Sequence, residues 1–315
     1  MMKKGRRKYA VGIDLGGTFV KYALVSDLGE ILFDGILPVG RKSEREDILK
    51  TIKFSIQKTM EEAAEKSLKL SGIGIGSPGI VCNGVVLGGA DNLDRWSNIN
   101  LAEIYSKIFG LPVFVDNDAN VMGLGELAFG AAKDCTDVVF ITVGTGIGGA
   151  IVVNGQLYGG YKNRGAELGH VTINHNGEHC NCGGRGCLEV YASTAALIQQ
   201  YVKKTGNNAE EIDGYYIIKK YKEKEFEAVE CLQKHTDYLG HGIAGFINIF
   251  APQKVVIGGG ISQAGQFYID MIKEAAMRYA MPDCSTNTEV VAAVLGNHAG
   301  CLGAASLVFK NQMVM

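Results

Sequence analysis

YAVGIDLGGTFVKYALVSDLG, residues 9–29, decides the reading of this chain. Tyr9 to Asp14 reads as a buried strand, GGT as a turn, and Phe19 to Ser26 as a returning strand before a second turn at Asp27 to Gly29. That is a hairpin, not a strand followed by a helix. VVFITVGTGIGGAIVVNG, residues 138–155, repeats the plan: strand Val138 to Val143, turn GTGIGG, return over Ala150 to Val153, turn at Asn154 and Gly155. The repetition predicts an internally duplicated chain of two lobes, with the glycine turns on either side of a shared cleft.

Working outward, Ile48, Ile52, Ile56, Met60 and Ala63 fall at helical spacing over Glu46 to Lys66, and Ile73 to Ile75 and Val113 to Val115 complete the first sheet. Phe226, Val229, Leu232, Leu239, Ile243 and Phe246 mark a long helix, which Pro252 stops before a strand at Val255 to Ile257. Alternating strands and helices give an α/β fold. The expected division is an N-terminal lobe over 1–120, with a C-terminal helix at 300–312 packing on it, and a C-terminal lobe over 121–299. The polar stretch Gly206 to Glu225 reads as a solvated helical face.

Composition narrows the function classes. With 47% hydrophobic residues in 315 the chain can bury a sizeable core, and 31 basic against 33 acidic residues give a net charge of −2. No whole-chain field favours nucleic acid or an anionic membrane. No apolar run approaches the roughly 18 residues that span a bilayer. The basic opening MMKKGRRK leads into an apolar stretch cut short by Asp14, Gly16 and Gly17, so a cytosolic tail is expected, not a secretory leader. A soluble cytoplasmic protein with small-molecule partners is the expectation.

Backbone N–H groups surround a phosphate only where no Cβ blocks the approach, which makes Gly16 and Gly17 candidates, with Thr18 as a hydroxyl donor and Lys21 beside them. Asp14 is a candidate magnesium ligand, because hard divalent cations take oxygen. The second hairpin offers Thr145, Gly146 and Gly148, and a third turn, Gly258, Gly259 and Gly260, follows the strand at Val255 to Ile257. Gly144 to Gly149 also satisfies G-x-G-x-x-G, but a strand follows where a dinucleotide site needs a helix; a second match over Gly74 to Gly79 contains Pro78. No Gly-Lys pair exists, so a P-loop is absent. Three glycine turns at strand ends point to a bound nucleotide.

Eight cysteines in such a chain suggest thiols or metal ligands, not a disulfide framework. Cys82, Cys135, Cys231, Cys284 and Cys301 are scattered in apolar segments. Cys180, Cys182 and Cys187 cluster, with His170 ten residues upstream of the first. Soft ligands in that number suit tetrahedral zinc, and four protein ligands leave no open position, so the expected site is structural. His175 and His179 read as surface residues, although His179 could compete.

The chain resembles the ROK family of sugar kinases, repressors and open reading frames over nearly its full length. The resemblance rests on IDLGGT at 13–18, DNDAN at 116–120, TVGTGIGG at 142–149, and GAELGH through GCLE at 165–189. It implies the two-lobed actin-like ATPase (ribonuclease H-like) fold and a zinc site on the same four ligands. It also implies Asp118 as general base and Gly79, Asn92, Asn117, Glu167, His170 and Glu189 as sugar contacts. The activity implied is transfer of the γ-phosphate of ATP to a hexose, glucose to glucose 6-phosphate; N-acetylmannosamine, N-acetylglucosamine, allose, fructose and β-glucosides are alternatives. Homodimers or homotetramers are implied. The family's repressors start with a helix-turn-helix domain, whereas IDLGGT begins here at Ile13, which disfavours a sugar-sensing regulator. GGADNLDRWSN at 88–98 resembles the family's sugar loop but carries Asp94 and Arg95 inside it.

Overall fold

The first hairpin forms as a buried ribbon. β1 (Tyr9–Leu15) and β2 (Phe19–Ser26) pair antiparallel, Asp14 opposite Lys21, and Gly16 N–H donates to Phe19 O at 2.9 Å to close the turn. The computed structural model describes residues 7–40, 43–90 and 93–311. β3 (Ile31–Pro38) pairs outside β2 and alternates partly buried with exposed residues, as an edge strand does. α1 (Arg45–Glu65) buries Ile48, Ile52, Ile56 and Ala63 along one face. β4 (Leu70–Ser77) then runs parallel to β1. A small sheet follows, β5 (Ile80–Cys82), β6 (Val85–Gly88) and β7 (Ile99–Asn100), then α2 (Leu101–Phe109) and β8 (Val113–Asn117), parallel to β4. The resulting order is β3-β2-β1-β4-β8. α3 (Asp118–Phe129) leaves directly from the end of β8.

The second sheet has the same plan. β9 (Val138–Val143) and β10 (Ile147–Val153) make the hairpin and β11 (Gln156–Leu157) extends it. After α4 (Glu189–Ala192), α5 (Thr194–Thr205), α6 (Gly214–Lys222) and α7 (Phe226–Phe250), β12 (Lys254–Gly258) pairs parallel to β9. α8 (Gln266–Tyr279) leads to β13 (Glu289–Ala292). The order β11-β10-β9-β12-β13 repeats the first sheet strand for strand, with three antiparallel strands followed by two parallel ones. The duplication inferred from two hairpins thus extends through both sheets.

Two compact units result. One runs to Asp134 and takes back Gly159–Arg164 and the chain from Asn297; the other comprises Cys135–Tyr158 and Gly165–Gly296. The C-terminal helix, Ala299–Asn311, belongs to the first and is buried from Ala299 through Phe309. It reaches β1 and β4 closely because their facing residues are glycines. A Cβ on Gly12 would overlap Cys301 O, and one on Gly74 would overlap Ala304 O. The same helix meets α3 through Gly303, whose Cβ would overlap Val121 O, and through Gly125 against Ala299 O.

Three details differ from the sequence reading. β10 starts at Ile147, so Gly148 and Gly149 pair with Thr142 and Ile141 and the turn shrinks to Gly144–Gly146. Gly206 to Glu225 is not simply a solvated face: α6 within it buries Ile217 and Ile218. The edge strands β3 and β11 went unread, one half-polar and the other two residues long.

Substituting alanine at Gly303 should lower the unfolding free energy by at least about 2 kcal/mol, because the neighbouring backbone has no room to yield. Gly245, exposed on α7 with nothing within 4 Å of where a Cβ would stand, is the control: Gly245→Ala should be neutral or stabilising by up to about 1 kcal/mol. Urea midpoints of the two variants check both.

Candidate active site

The candidate residues fall into two sets, one in each unit. In the first, Asp14 lies at the end of β1 with only 7% of its surface exposed. Its carboxylate rests on Gly300 at the start of the C-terminal helix, where a Cβ would overlap it. Burial pushes the Asp14 carboxyl up from 3.8 to about 6; Lys21, 4.0 Å away, pulls it down, and Asp118 raises it further. A buried carboxylate whose charge is offset only in part offers the kind of oxygen ligand that a hard cation takes. Gly16 and Gly17 are partly buried in the β1–β2 turn and Thr18 is exposed, its carbonyl accepting from Val39 N–H at 2.7 Å.

Asp118 is the first residue of α3, so it sits where the helix N–H groups are unsatisfied and the dipole favours negative charge. Its Oδ1 accepts from Ala119 N–H at 2.9 Å. Burial nevertheless raises its pKa, against the lowering effect of hydrogen bonds from Ala119 and Asn117. Asn117 is the cap: Oδ1 accepts from Ala119 N–H at 2.9 Å and Asn120 N–H at 3.2 Å, while Nδ2 donates to Gly79 O at 3.0 Å. Gly79 itself has φ +91°, and a Cβ there would lie 2.5 Å from Gly88 O.

Two residues of this set had not been singled out. Asp116 Oδ1 accepts from Asn117 N–H at 2.7 Å, Asn120 Nδ2 at 2.8 Å and Asn163 Nδ2 at 3.2 Å. Asn163 also donates to Val81 O at 2.7 Å. Asp116 stood in the quoted DNDAN motif, but nothing local connects it to Asn163, 47 residues on. Asn92 lies outside the described residues. Asp94 and Arg95 pair with each other at 3.0 Å on the surface, while their neighbour Trp96 is buried and donates to Ser77 Oγ at 2.9 Å.

In the second unit, a cavity of about 530 Å³ is walled by Val143, Ile198, Ile218, Ile261 and Ala264, with Thr145, Asp213, Tyr215 and Gln263 supplying polar groups. Thr145 and Gly260 meet on it. Gly144 lines it too, whereas Gly146, Gly148, Gly258 and Gly259 do not. Gly148 is inside β10, Gly258 ends β12, and Gly259, at φ +92°, leaves room for Val143 O. A Cβ on Gly146 would overlap the Glu189 carboxylate. Asp213, Gly214, Tyr215 and Ile218 come from the stretch read as a solvated face, which corrects that reading: its polar residues hid a pocket wall. Thr194 Oγ1, on the same wall, is buried without a partner among the described residues.

His170, Cys180, Cys182 and Cys187 converge, their ligand atoms all within 4.8 Å of one another. Around a tetrahedral zinc, sulfurs at about 2.3 Å and a nitrogen at about 2.0 Å would stand about 3.8 Å (S···S) and about 3.5 Å (S···N) apart. Cys182 Sγ to Cys187 Sγ is 3.7 Å and His170 Nδ1 to Cys180 Sγ is 3.6 Å. The donor set suits zinc in its chemistry, and these two spacings match. His179 is engaged elsewhere, its Nε2 2.6 Å from the Arg185 guanidinium, and His175 is exposed. Glu167 is exposed just before the turn carrying His170, and Glu189 opens α4.

Residues 10–311 match the ROK family. A glucokinase of Thermotoga maritima is 38% identical over 95% of this chain and 96% of its own length. A putative xylose repressor of a Caldicellulosiruptor species is 32% identical over 96% of this chain, but this chain covers only 78% of that protein. Among solved structures, a ROK family glucokinase from Streptomyces griseus in complex with glucose and AMPPNP superimposes with a TM-score of 0.82 at 30% identity, covering 96% of this chain and 99% of that one.

The raised Asp14 pKa has a stability consequence. A folded-state value above the unfolded one means that the contribution is present below about 3.8 and lost as pH rises through about 6, on the order of 3 kcal/mol. In divalent-free buffer, Asp14→Asn should therefore melt at a higher temperature than the parent at pH 7, with the difference vanishing near pH 4. An equal gap at both pH values would contradict the burial argument.

Proposed function

The chain belongs to the ROK family, with its two-lobed actin-like ATPase fold, and from that premise we propose that it is an ATP-dependent hexose kinase making glucose 6-phosphate from glucose. The observation that carries the proposal is Asp118: a partly buried carboxylate at a helix N-terminus, its Oδ1 held by Ala119 N–H and its supporting amides engaged by Asp116. A carboxylate so placed can take the hydroxyl proton as the sugar oxygen attacks the γ-phosphorus, and positioning is most of what phosphoryl transfer asks of a protein.

Magnesium, held by Asp14, would neutralise charge on the transferring phosphoryl; the glycine turns would receive phosphate oxygens through backbone N–H groups. The aliphatic cavity with Tyr215 and Thr145 suits an adenine nucleotide. Gly79, Asn92, Asn117, Glu167, His170 and Glu189 are proposed sugar contacts. With both Oδ1 and Nδ2 of Asn117 already bonded within the protein, its contribution falls mainly on holding Gly79 and α3. Zinc on the Cys/His cluster is structural, since four protein ligands leave no open position. We place the protein in the cytoplasm, as a homodimer or homotetramer, in a glycolytic role; no helix among the described residues is long and apolar enough to cross a membrane.

A second reading has support in the likeness to a putative xylose repressor: a sugar sensor that binds without turnover. Coupled ATP turnover measured across glucose, mannose, fructose, allose, N-acetylmannosamine, N-acetylglucosamine and xylose separates the two. Highest kcat/KM with glucose is expected, and absence of turnover with every sugar would favour the sensor. The acid limb of kcat/KM should lie above the ordinary carboxylate range. Asp118 works only when ionised and burial raises its pKa, so activity falls as pH drops through that raised value.

A further inference from the structure

Glu189 follows the metal-cluster residue Cys187 by two positions, and its carboxylate turns into the protein. Oε2 accepts from the backbone N–H of Ile147 at 2.8 Å, directly after the Gly144–Gly146 turn. The space a Cβ on Gly146 would need is occupied by that same oxygen. Gly146 is thus required by Glu189, whatever a phosphate demands. The turn is held from a second side, since Gly144 O accepts from Thr194 N–H at 2.8 Å at the start of α5.

The other ligand-bearing segment reaches the same hairpin. A Cβ on Gly169 would overlap Ile147 O, and Leu168 covers Gly149 so closely that a Cβ would lie 2.5 Å from its Cδ1. The next residue is His170. Both strands of chain that carry metal ligands, around 168–170 and 187–189, therefore end on one hairpin, and that hairpin presents Thr145 to the 530 Å³ cavity.

We propose that Glu189 is a positioning residue for the nucleotide: its carboxylate clamps the Ile147 N–H, so that order in the metal-held block is passed to the Thr145 edge of the cavity whether or not sugar is bound. The clamp is a charge-assisted hydrogen bond in a partly buried setting, stronger than a neutral one, and its loss frees the turn. A pure sugar contact would have no such effect in the absence of sugar. The proposal rests on the kinase reading only for the identity of the cavity's ligand.

The test uses the full chain without sugar. Hydrogen exchange by mass spectrometry follows the peptide containing Ile147, and calorimetry gives the affinity for AMPPNP with magnesium. Both are measured on zinc-loaded and zinc-stripped protein, for the parent, Glu189→Ala and Glu189→Gln. Glu189→Ala should exchange faster at Ile147 and bind AMPPNP about tenfold more weakly. Glu189→Gln, which keeps an acceptor oxygen but not the charge, should fall between the alanine variant and the parent in both. Stripping zinc from the parent should reproduce the alanine result, and stripping the alanine variant should add less than about twofold. Parent-like exchange and affinity in Glu189→Ala would overturn the clamp, and an unchanged parent on stripping would overturn the link to the metal block. Should Glu189→Ala fail to fold, the loaded-against-stripped comparison of the parent decides alone. A chain that phosphorylates no sugar would sink the kinase reading and leave the exchange result standing.

Discussion

Backbone-to-backbone contact between the C-terminal helix and the first sheet sets the positions of the first unit's two candidate carboxylates. Through Gly12 and Gly74 the helix lies against β1 and β4 at a distance that any side chain would forbid. Its first turn then underlies Asp14 at Gly300, and its middle grips α3 at Gly303 and Gly125. Both carboxylates, Asp14 at the end of β1 and Asp118 at the start of α3, are thereby referenced to one rigid rod. Interiors transmit strain because they are close-packed, so small displacements of this helix would reach both groups together.

The same economy holds in the second unit. At three of its turn and strand glycines the protein's own atoms fill the space of a side chain: Leu168 at Gly149 and Glu189 at Gly146 in the hairpin, and Val143 O at Gly259 after β12. Glycines at a strand end were read as vacancies for phosphate. The structure gives Gly146, Gly149 and Gly259 an internal occupant and leaves Gly144, Thr145 and Gly260 on the cavity.

What the sequence revealed follows from how local each signal is. Hairpins of contiguous apolar residues around a glycine turn were legible, and their repetition gave the fold. The metal cluster was legible because three of its ligands lie within eight residues, Cys180 to Cys187, and the fourth is His170. The Asp116–Asn163 bond and the Glu189–Ile147 bond were not, because they join residues 47 and 42 apart whose partners are a side-chain amide and a backbone N–H. Composition also misled over Gly206 to Glu225: lysines and glutamates dominate it, yet Asp213, Tyr215 and Ile218 form a wall. Pocket residues need only one face of a short helix, too little to show in a charge pattern.

As proposed, Asp118 takes the proton from a sugar hydroxyl during transfer from ATP. Single-turnover quench-flow with γ-labelled ATP and glucose, run beside calorimetric glucose binding, tests it on the parent and Asp118→Asn. The parent should yield labelled glucose 6-phosphate, and Asp118→Asn should show a transfer rate lower by at least about a hundredfold with glucose affinity within a few-fold. Transfer at a near-parent rate by Asp118→Asn would contradict it.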